Sequence, residues 1–215
     1  MIKEVQFLEY TNGLLDGDKD KCIEVVEYLL SQNVDIKDIY VDLFQRSMYH
    51  VGKMWEQGRL SIADEHLGTE ITKSLMNRYA PKIASTKKIN KTALVSCVDK
   101  EFHEIGARMA ADVFELNGWH TYFLGACTPT REILKFIDIK RPDVVGLSFN
   151  FYLNIHRLYE VIDHIRKDYP NQQIIVGGQA LVREKEKLLD EYKYLKLFST
   201  VKELDSYLKE ESKAN

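Results

Sequence analysis

The stretch VDKEFHEIGA, residues 98–107, follows the apolar run TALVSC (92–97) and leads into a segment with helical periodicity. It joins the end of a strand to the start of a helix through a short charged loop. Parallel sheets with helices on their faces are built from units of this kind. The stretch therefore indicates an α/β fold, and it places His103 beyond the carboxyl end of the first strand.

Four further strand candidates follow, separated by amphipathic helical segments. They are HTYFLG (120–125), DVVGLSF (143–149), QIIVGG (173–178) and the weaker YLKLFS (194–199). Continuous apolar strands are typical of a parallel sheet that is covered on both faces. Five strands in this length predict the flavodoxin-like order rather than a six-stranded dinucleotide-binding sheet, in a domain over residues 91–215.

Residues 1–86 have a different pattern, with no convincing strand. Apolar residues recur every three or four positions in CIEVVEYLLSQN (22–33) and IKDIYVDLFQRSMYHVGKMWEQG (36–58). This spacing indicates amphipathic helices, and four of them joined by short turns form a helical bundle. Ser61 and Asp64, three residues apart, predict a capping box at the start of the last helix.

Composition excludes several classes of function. The net charge is −3, so nothing draws the chain to nucleic acid or to an anionic membrane surface. Its three cysteines are far apart and odd in number, which indicates a reducing compartment rather than a disulfide framework. The N-terminal stretch contains charges and no long apolar run follows, so we expect a cytoplasmic protein without a membrane span.

Ligands of such sheets bind beyond the carboxyl ends of the strands, where the strand order reverses. The loops at that edge lack the glycine-rich patterns of dinucleotide and phosphate sites, and HEIGA lacks the second histidine of a zinc protease helix. A phosphoacceptor domain needs an aspartate where Ser148 and Asn150 stand. His103 is thus either a solvated loop histidine or one axial ligand of a metal that brings its other ligands, as in a tetrapyrrole.

The motif EFHEIG (101–106), followed by Ser148 and then by Gly177 and Gly178, resembles the D-x-H-x-x-G, S-x-[LT] and G-G signatures of cobalamin-binding domains. The resemblance implies a Rossmann-like domain that binds cobalamin base-off, with His103 as the lower cobalt ligand. It also implies a channel for the nucleotide tail beside the serine and the two glycines. The cofactor-binding residues implied for this domain are Glu101, Phe102, His103, Gly106, Thr128, Pro129, Ser148, Asn150, Gly177 and Gly178.

In the helical part, Trp55 is followed after nine residues by Glu65 and His66. This W-x9-E-H spacing matches the cap motif of CarH-type cobalamin photoreceptors. The resemblance implies that these three residues, with Ile62 completing an apolar lid, pack over the adenosyl group of adenosylcobalamin.

Three positions depart from the patterns of these families. Glu101 stands where cobalamin-binding domains usually have aspartate, which puts the tuning of His103 in question, and Asn150 stands where leucine or threonine is usual. Glu56 replaces the histidine that typically follows the motif tryptophan of CarH-type photoreceptors. We therefore expect no stable second histidine ligand on cobalt after illumination.

The favoured function is a cobalamin sensor or regulatory protein without its own DNA-binding domain, with adenosylcobalamin as the favoured cofactor and light as a candidate input. Its partner is expected to be a second copy of the chain or a separate signalling protein. The alternative is a corrinoid methyl carrier that uses methylcobalamin, and the cobalamin subunit of a radical mutase ranks third. The resemblance covers no DNA-binding part, so direct nucleic-acid binding is not expected, and a binding protein is favoured over an enzyme.

Overall fold

The computed structural model describes residues 2–84, 87–192 and 194–213. The chain divides into two compact units, Met1–Pro81 and Lys82–Asn215. The boundary predicted from sequence, residue 86, lies outside the described residues. Within the described ranges, no helix is long and apolar enough to cross a membrane.

The first unit is the helical bundle that the apolar spacing predicts. Its helices are α1 (Glu4–Asp16), α2 (Lys19–Ser31), α3 (Ile36–Asp38), α4 (Arg46–Glu56) and α5 (Ile62–Ala84), with a π-helical segment, Ile39–Gln45, between α3 and α4. Tyr10, Leu43, Phe44 and Leu75 are fully buried in its core. The π-helical segment was not predicted, because its apolar spacing fits an α-helix equally well.

The second unit alternates strands and helices. Its elements are β1 (Thr92–Cys97), α6 (Ile105–Leu116), β2 (His120–Gly125), α7 (Thr130–Lys140), β3 (Val144–Ser148), a 3₁₀ turn (Tyr152–Asn154), α8 (Ile155–Asp168), β4 (Gln173–Gly177), α9 (Leu181–Glu191), β5 (Leu195–Phe198) and α10 (Val201–Lys213). The strands are parallel and lie in the order β2-β1-β3-β4-β5, which is the predicted flavodoxin-like order.

Strand register brings the functional loops together. Cys97 pairs with Ser148, and Ser148 pairs with Gly177, so the last residues of β1, β3 and β4 form one row across the sheet. Apolar side chains below this row, among them Leu94 and Val145, are fully buried against α7 and α8. The strands therefore form a buried base from which the loops after β1, β3 and β4 extend at one edge.

Three strands end one residue earlier than the sequence suggested, and β5 is one of them, since it ends at Phe198. Phe149 lies outside β3, and Gly178 lies outside β4. Gly178 has a φ of +115°, which is incompatible with an extended strand. The chain turns out of the sheet at that glycine, and the loop before α9 begins there.

Candidate cofactor site

In the sheet, β2 and β3 lie on opposite sides of β1, so the strand order reverses at β1. The loops after β1 and β3 therefore leave the sheet at its switch point. His103 lies in the loop after β1, two residues before α6, and its side chain is 65% exposed. The turn that brings the chain there uses Lys100 in a left-handed conformation, with a φ of +63°. This places an accessible imidazole at the edge where ligands of such sheets bind.

Glu101 holds the imidazole of His103 in place. The Glu101 side chain is fully buried, and its Oε1 lies 2.6 Å from Nδ1 of His103. The same oxygen accepts a hydrogen bond of 3.0 Å from the backbone N–H of His103. A carboxylate on one ring nitrogen fixes the orientation of a histidine and leaves metal ligation to the other, here Nε2.

The second carboxylate oxygen of Glu101 fastens the loop after β3. Its Oε2 accepts hydrogen bonds of 2.8 Å from the backbone N–H groups of Asn150 and Phe151, and one of 3.3 Å from Nδ2 of Asn154. Burial raises the pKa of Glu101, but the hydrogen bonds from His103, Phe151 and Asn150 outweigh burial and lower it to about 2. Glu101 is thus an anionic link between the histidine loop and the neighbouring loop.

Asn150 adds a second link between the loops. Its Nδ2 donates to the backbone oxygen of His103 (2.9 Å), and its Oδ1 accepts from the backbone N–H of Gln179 (3.0 Å). The side chain therefore connects the loops after β1, β3 and β4. This bridging arrangement uses a donor and an acceptor on separate atoms of one side chain, whereas of the two residues usual at this position leucine has neither and threonine has a single hydroxyl.

The loop after β2 is tied to the same centre. Ala126 N–H donates to Oε2 of Glu104 (3.0 Å), and Cys127 N–H donates to the backbone oxygen of Glu101 (2.8 Å). Thr128 and Pro129, predicted to border the cofactor, follow directly in this loop, and Pro129 precedes the first turn of α7. The loops after β1, β2, β3 and β4 are therefore connected around His103.

The glycines of the site differ in how much space a side chain would have at each position. A β-carbon on Gly106 would meet nothing within 4 Å, and one on Gly177 would lie at an ordinary 3.4 Å from Phe198 O. A β-carbon on Gly178 would lie 2.0 Å from Phe149 O. Gly178 is therefore required by the approach of the backbone after β3, a reason separate from the tail channel that the resemblance implies.

The remaining predicted residues of this domain differ in exposure. Ser148 is buried at the end of β3, 7% exposed, whereas Phe102, next to His103, is 68% exposed. Three residues that connect the loops of the site were not identified from sequence: Glu104, Phe151 and Asn154. They lie in loops or just before a helix, where no periodic pattern marks them.

In the helical unit, a sharp turn ends α4 just after Trp55. Gly58 N–H donates to Trp55 O and Arg59 N–H donates to Met54 O, both at 2.9 Å. Gly58 has a φ of +68°. These bonds form a Schellman motif, which stops the helix and reverses the chain.

The predicted capping box then starts α5. Asp64 N–H donates to Ser61 Oγ (3.2 Å), and Ser61 N–H donates to Asp64 Oδ2 (2.8 Å). We call the segment from Trp55 to His66 the cap hairpin. Its two end motifs place the last turn of α4 and the first turns of α5 at the same end of the bundle.

The cap hairpin presents large side chains to solvent. Trp55 is 45% exposed and Ile62 is 59% exposed. Glu65 accepts a hydrogen bond from Thr69 (2.9 Å), and its other oxygen lies 3.7 Å from Nε2 of His66. Two apolar groups and one acid–imidazole pair are thus available at this end of the bundle.

Comparison with known protein families identifies both units. Two family models, each described as a B12 binding domain, match residues 7–79 and 91–198. The chain belongs to the B12-binding family. It is a cobalamin-binding protein with a helical domain and a Rossmann-like domain, as the motifs predicted.

Relatives of this B12-binding chain include corrinoid proteins and transcriptional repressors. The trimethylamine corrinoid protein 1 of Methanosarcina acetivorans is 20% identical over 85% of the chain and 87% of the relative. The transcriptional repressors CarH and CarA of Myxococcus xanthus are 24% and 31% identical over 76% and 77% of the chain, and in both cases 54% of the repressor is covered. The fold matches that of the monomethylamine corrinoid protein of Methanosarcina barkeri with a TM-score of 0.82, covering 96% of the chain and 98% of that protein at 15% identity.

The geometry around His103 fits the cobalamin of this family. A neutral imidazole held by a carboxylate is a suitable axial ligand for a metal whose other ligands come from a macrocycle. A β-carbon would meet open space at Gly106 and only an ordinary contact at Gly177, so the protein does not crowd either glycine. His103 would hold the cobalt, and Glu101 would orient His103.

Proposed function

We propose that this B12-binding chain is an adenosylcobalamin-dependent regulatory protein that transmits the state of its cofactor, with light as the input, to a partner protein or to its own oligomeric state. The observation that carries the proposal is the cap hairpin, where Trp55, Glu65 and His66 occur at the spacing of CarH-type photoreceptors. The similarity to CarH and CarA supports it.

The helical unit supplies groups suited to an adenosyl ligand. Trp55 offers an exposed indole face, on which an adenine or a sugar can pack, and Ile62 adds apolar surface. Glu65 and His66 offer an acceptor and a ring nitrogen to ribose hydroxyls. A methyl ligand has no group that could use these contacts, so they favour adenosylcobalamin.

The sheet unit supplies the lower ligand. His103 is proposed to hold cobalt through Nε2 while Glu101 fixes Nδ1. Adenosylcobalamin, when bound, supplies a light-sensitive cobalt–carbon bond, and the protein supplies orientation and exclusion of side reactions. A nucleophile or general base of the protein is not needed for this role.

The second candidate is a corrinoid methyl carrier that works with a separate methyltransferase. The match over 87% of the trimethylamine corrinoid protein and 98% of the monomethylamine corrinoid protein favours it, because the repressors are matched over only about half of their length. In that role the exposed cap hairpin would have no adenosyl group to contact.

Reconstitution with each cofactor separates the two functions. The chain is loaded with adenosylcobalamin or methylcobalamin, and its absorption spectrum and size-exclusion profile are recorded in the dark and after green light. The regulatory function predicts tighter binding of adenosylcobalamin and a change of oligomeric state, or of partner binding, on illumination. Equal binding of both cofactors and an unchanged profile favour the methyl carrier.

Trp55→Ala provides the matching test in the cap hairpin. The variant should lose preference for adenosylcobalamin over methylcobalamin, since the exposed indole is its proposed contact. Tyr49→Ala is the control, because Tyr49 is on the same helix and is similarly exposed, 48% against 45%. Titration of both cofactors measures the preference, and an unchanged ratio in Trp55→Ala counts against the regulatory function.

A further inference from the structure

The position of Glu101 depends on the loop after β3, which supplies three of its hydrogen-bond donors. These are the backbone N–H groups of Asn150 and Phe151 and the amide of Asn154. Between Phe151 and Asn154, the hydroxyl of Tyr152 donates to Oε1 of Glu184 on α9 at 2.8 Å. The loop that holds Glu101 is therefore itself fastened to a neighbouring helix.

Glu184 is a fixed anchor rather than a surface acid. It is only 7% exposed, and its Oε2 accepts a second hydrogen bond, of 3.0 Å, from the hydroxyl of Tyr159 on α8. The ammonium of Lys187 lies 4.0 Å from the same oxygen. Burying a carboxylate costs free energy unless its oxygens accept hydrogen bonds. The hydrogen bonds from Tyr152 and Tyr159 offset this cost, and they are strengthened by the charge of Glu184, so both hydroxyls are held in place.

We infer that Glu184 and Tyr152 are positioning residues for His103. Glu184 holds Tyr152, Tyr152 holds the loop after β3, the loop presents its N–H groups to Glu101, and Glu101 orients the imidazole. This inference rests on the proposed role of His103 as cobalt ligand. Neither Glu184 nor Tyr152 needs to touch the cofactor.

The two tyrosines of Glu184 provide a matched pair. Each donates one hydroxyl hydrogen bond to the same carboxylate, but only Tyr152 belongs to the loop that contacts Glu101. Tyr159 lies within α8 and packs against the apolar core of the sheet unit. Tyr152→Phe should therefore release the loop, whereas Tyr159→Phe should leave it in place.

The test uses the full chain, first without cofactor. The amide signals of Asn150 and Phe151 in a ¹H–¹⁵N NMR spectrum, and their hydrogen-exchange rates, report whether the loop still donates to Glu101. Tyr152→Phe should shift both signals and speed their exchange. Tyr159→Phe should leave them unchanged, because its hydroxyl lies outside the loop.

The same variants are then titrated with cobalamin. Tyr152→Phe should weaken binding about 2- to 13-fold, the range that corresponds to the net free energy of one hydrogen bond, and should reduce the histidine-ligated fraction in the absorption spectrum. Glu184→Ala should reproduce this loss, because it removes the acceptor of the same hydrogen bond instead of the donor. Tyr159→Phe should bind as the unchanged chain does.

Equal losses in Tyr152→Phe and Tyr159→Phe would overturn the inference, because Glu184 would then stabilise the domain without directing the loop. Unchanged amide signals in Tyr152→Phe would overturn it as well. If His103 is not the cobalt ligand, His103→Ala will leave the cobalt spectrum unchanged. The amide signals of the cofactor-free chain would still show whether Tyr152 positions the loop after β3.

Discussion

Glu101, which stands where cobalamin-binding domains usually have aspartate, connects several groups with one side chain. One carboxylate oxygen reaches Nδ1 of His103 at 2.6 Å, and the other reaches two backbone N–H groups, of Asn150 and Phe151, at 2.8 Å. The carboxylate therefore orients the imidazole and closes the neighbouring loop at once. The departure that put the tuning of His103 in question leaves the hydrogen bond to Nδ1 in place.

Removing this carboxylate should destabilise the fold. Glu101→Ala leaves one buried and several partly buried donors without an acceptor, at a cost of about 2–4 kcal/mol in the free energy of unfolding. Urea denaturation of the cofactor-free chain measures it. Glu132→Ala is the control, since Glu132 is a partly exposed acid on α7 paired with Lys135, and a change within about 0.5 kcal/mol is expected there. Equal losses in the two variants would contradict the linking role of Glu101.

His103 is the residue whose loss should change the cobalt centre most directly. His103→Ala removes the imidazole but keeps the backbone N–H that Glu101 accepts, so the fold should persist while the histidine-ligated cobalamin spectrum is lost. His164→Ala, which removes an exposed histidine on α8, should leave the spectrum unchanged. A cobalt spectrum that His103→Ala does not alter would exclude His103 as the lower ligand.

At the scale of single residues, the sequence was sufficient to place the site residues that directly follow or end a strand. Because parallel strands end at one edge, the sequence alone places His103, Ser148 and Gly177 close together. The residues that hydrogen-bond to the site loops could not be predicted in this way. Asn154 and Glu104 are polar residues in loops or at a helix start, and their partners are set by loop conformations that no local pattern encodes.

At the scale of elements, the glycines that end β4 show two different constraints. Gly177 lies in the sheet register opposite Ser148 and Phe198, with room for a β-carbon. Gly178 turns the chain at a φ of +115° against the backbone of Phe149. The two glycines form one motif in the sequence, but only Gly178 is required by the backbone geometry of the fold.

Alanine at the two positions should therefore act on different properties. Gly178→Ala should lower the free energy of unfolding by at least about 2 kcal/mol, because it forces a strained backbone and a clash with Phe149 O. Gly177→Ala should unfold like the unchanged chain yet bind cobalamin more weakly, if its missing side chain leaves room for the nucleotide tail. Thermal unfolding and cobalamin titration of both variants measure this, and unchanged binding by Gly177→Ala would count against a tail channel there.

The elements themselves were largely predictable. β1 and β2 occupy the predicted residues, since continuous apolar runs bounded by polar loops leave few alternatives. The capping box at Ser61 also forms as predicted, because its two partners are local in sequence. The π-helical segment Ile39–Gln45 was missed, since its hydrogen-bond shift changes the backbone without changing the apolar pattern that sequence analysis reads.

At the scale of the whole molecule, each unit has its own core. Every residue of the large apolar cluster of the sheet unit lies between Leu94 and Leu195. The bundle core, which includes Tyr10, Phe44 and Leu75, belongs to the first unit. A chain of residues 87–215 therefore keeps an intact sheet core and should unfold cooperatively in urea.

This shortened chain separates the contributions of the two units to cobalamin binding. Because it keeps His103, Glu101 and the loops around them, it should bind cobalamin with the histidine-ligated spectrum, and His103→Ala in the shortened chain should abolish that spectrum. Because it lacks the cap hairpin, it should bind adenosylcobalamin and methylcobalamin with equal affinity, whereas the full chain should prefer adenosylcobalamin. If the shortened chain kept the full preference, the selection would reside in the sheet unit, and Trp55, Glu65 and His66 would lose the role proposed for them.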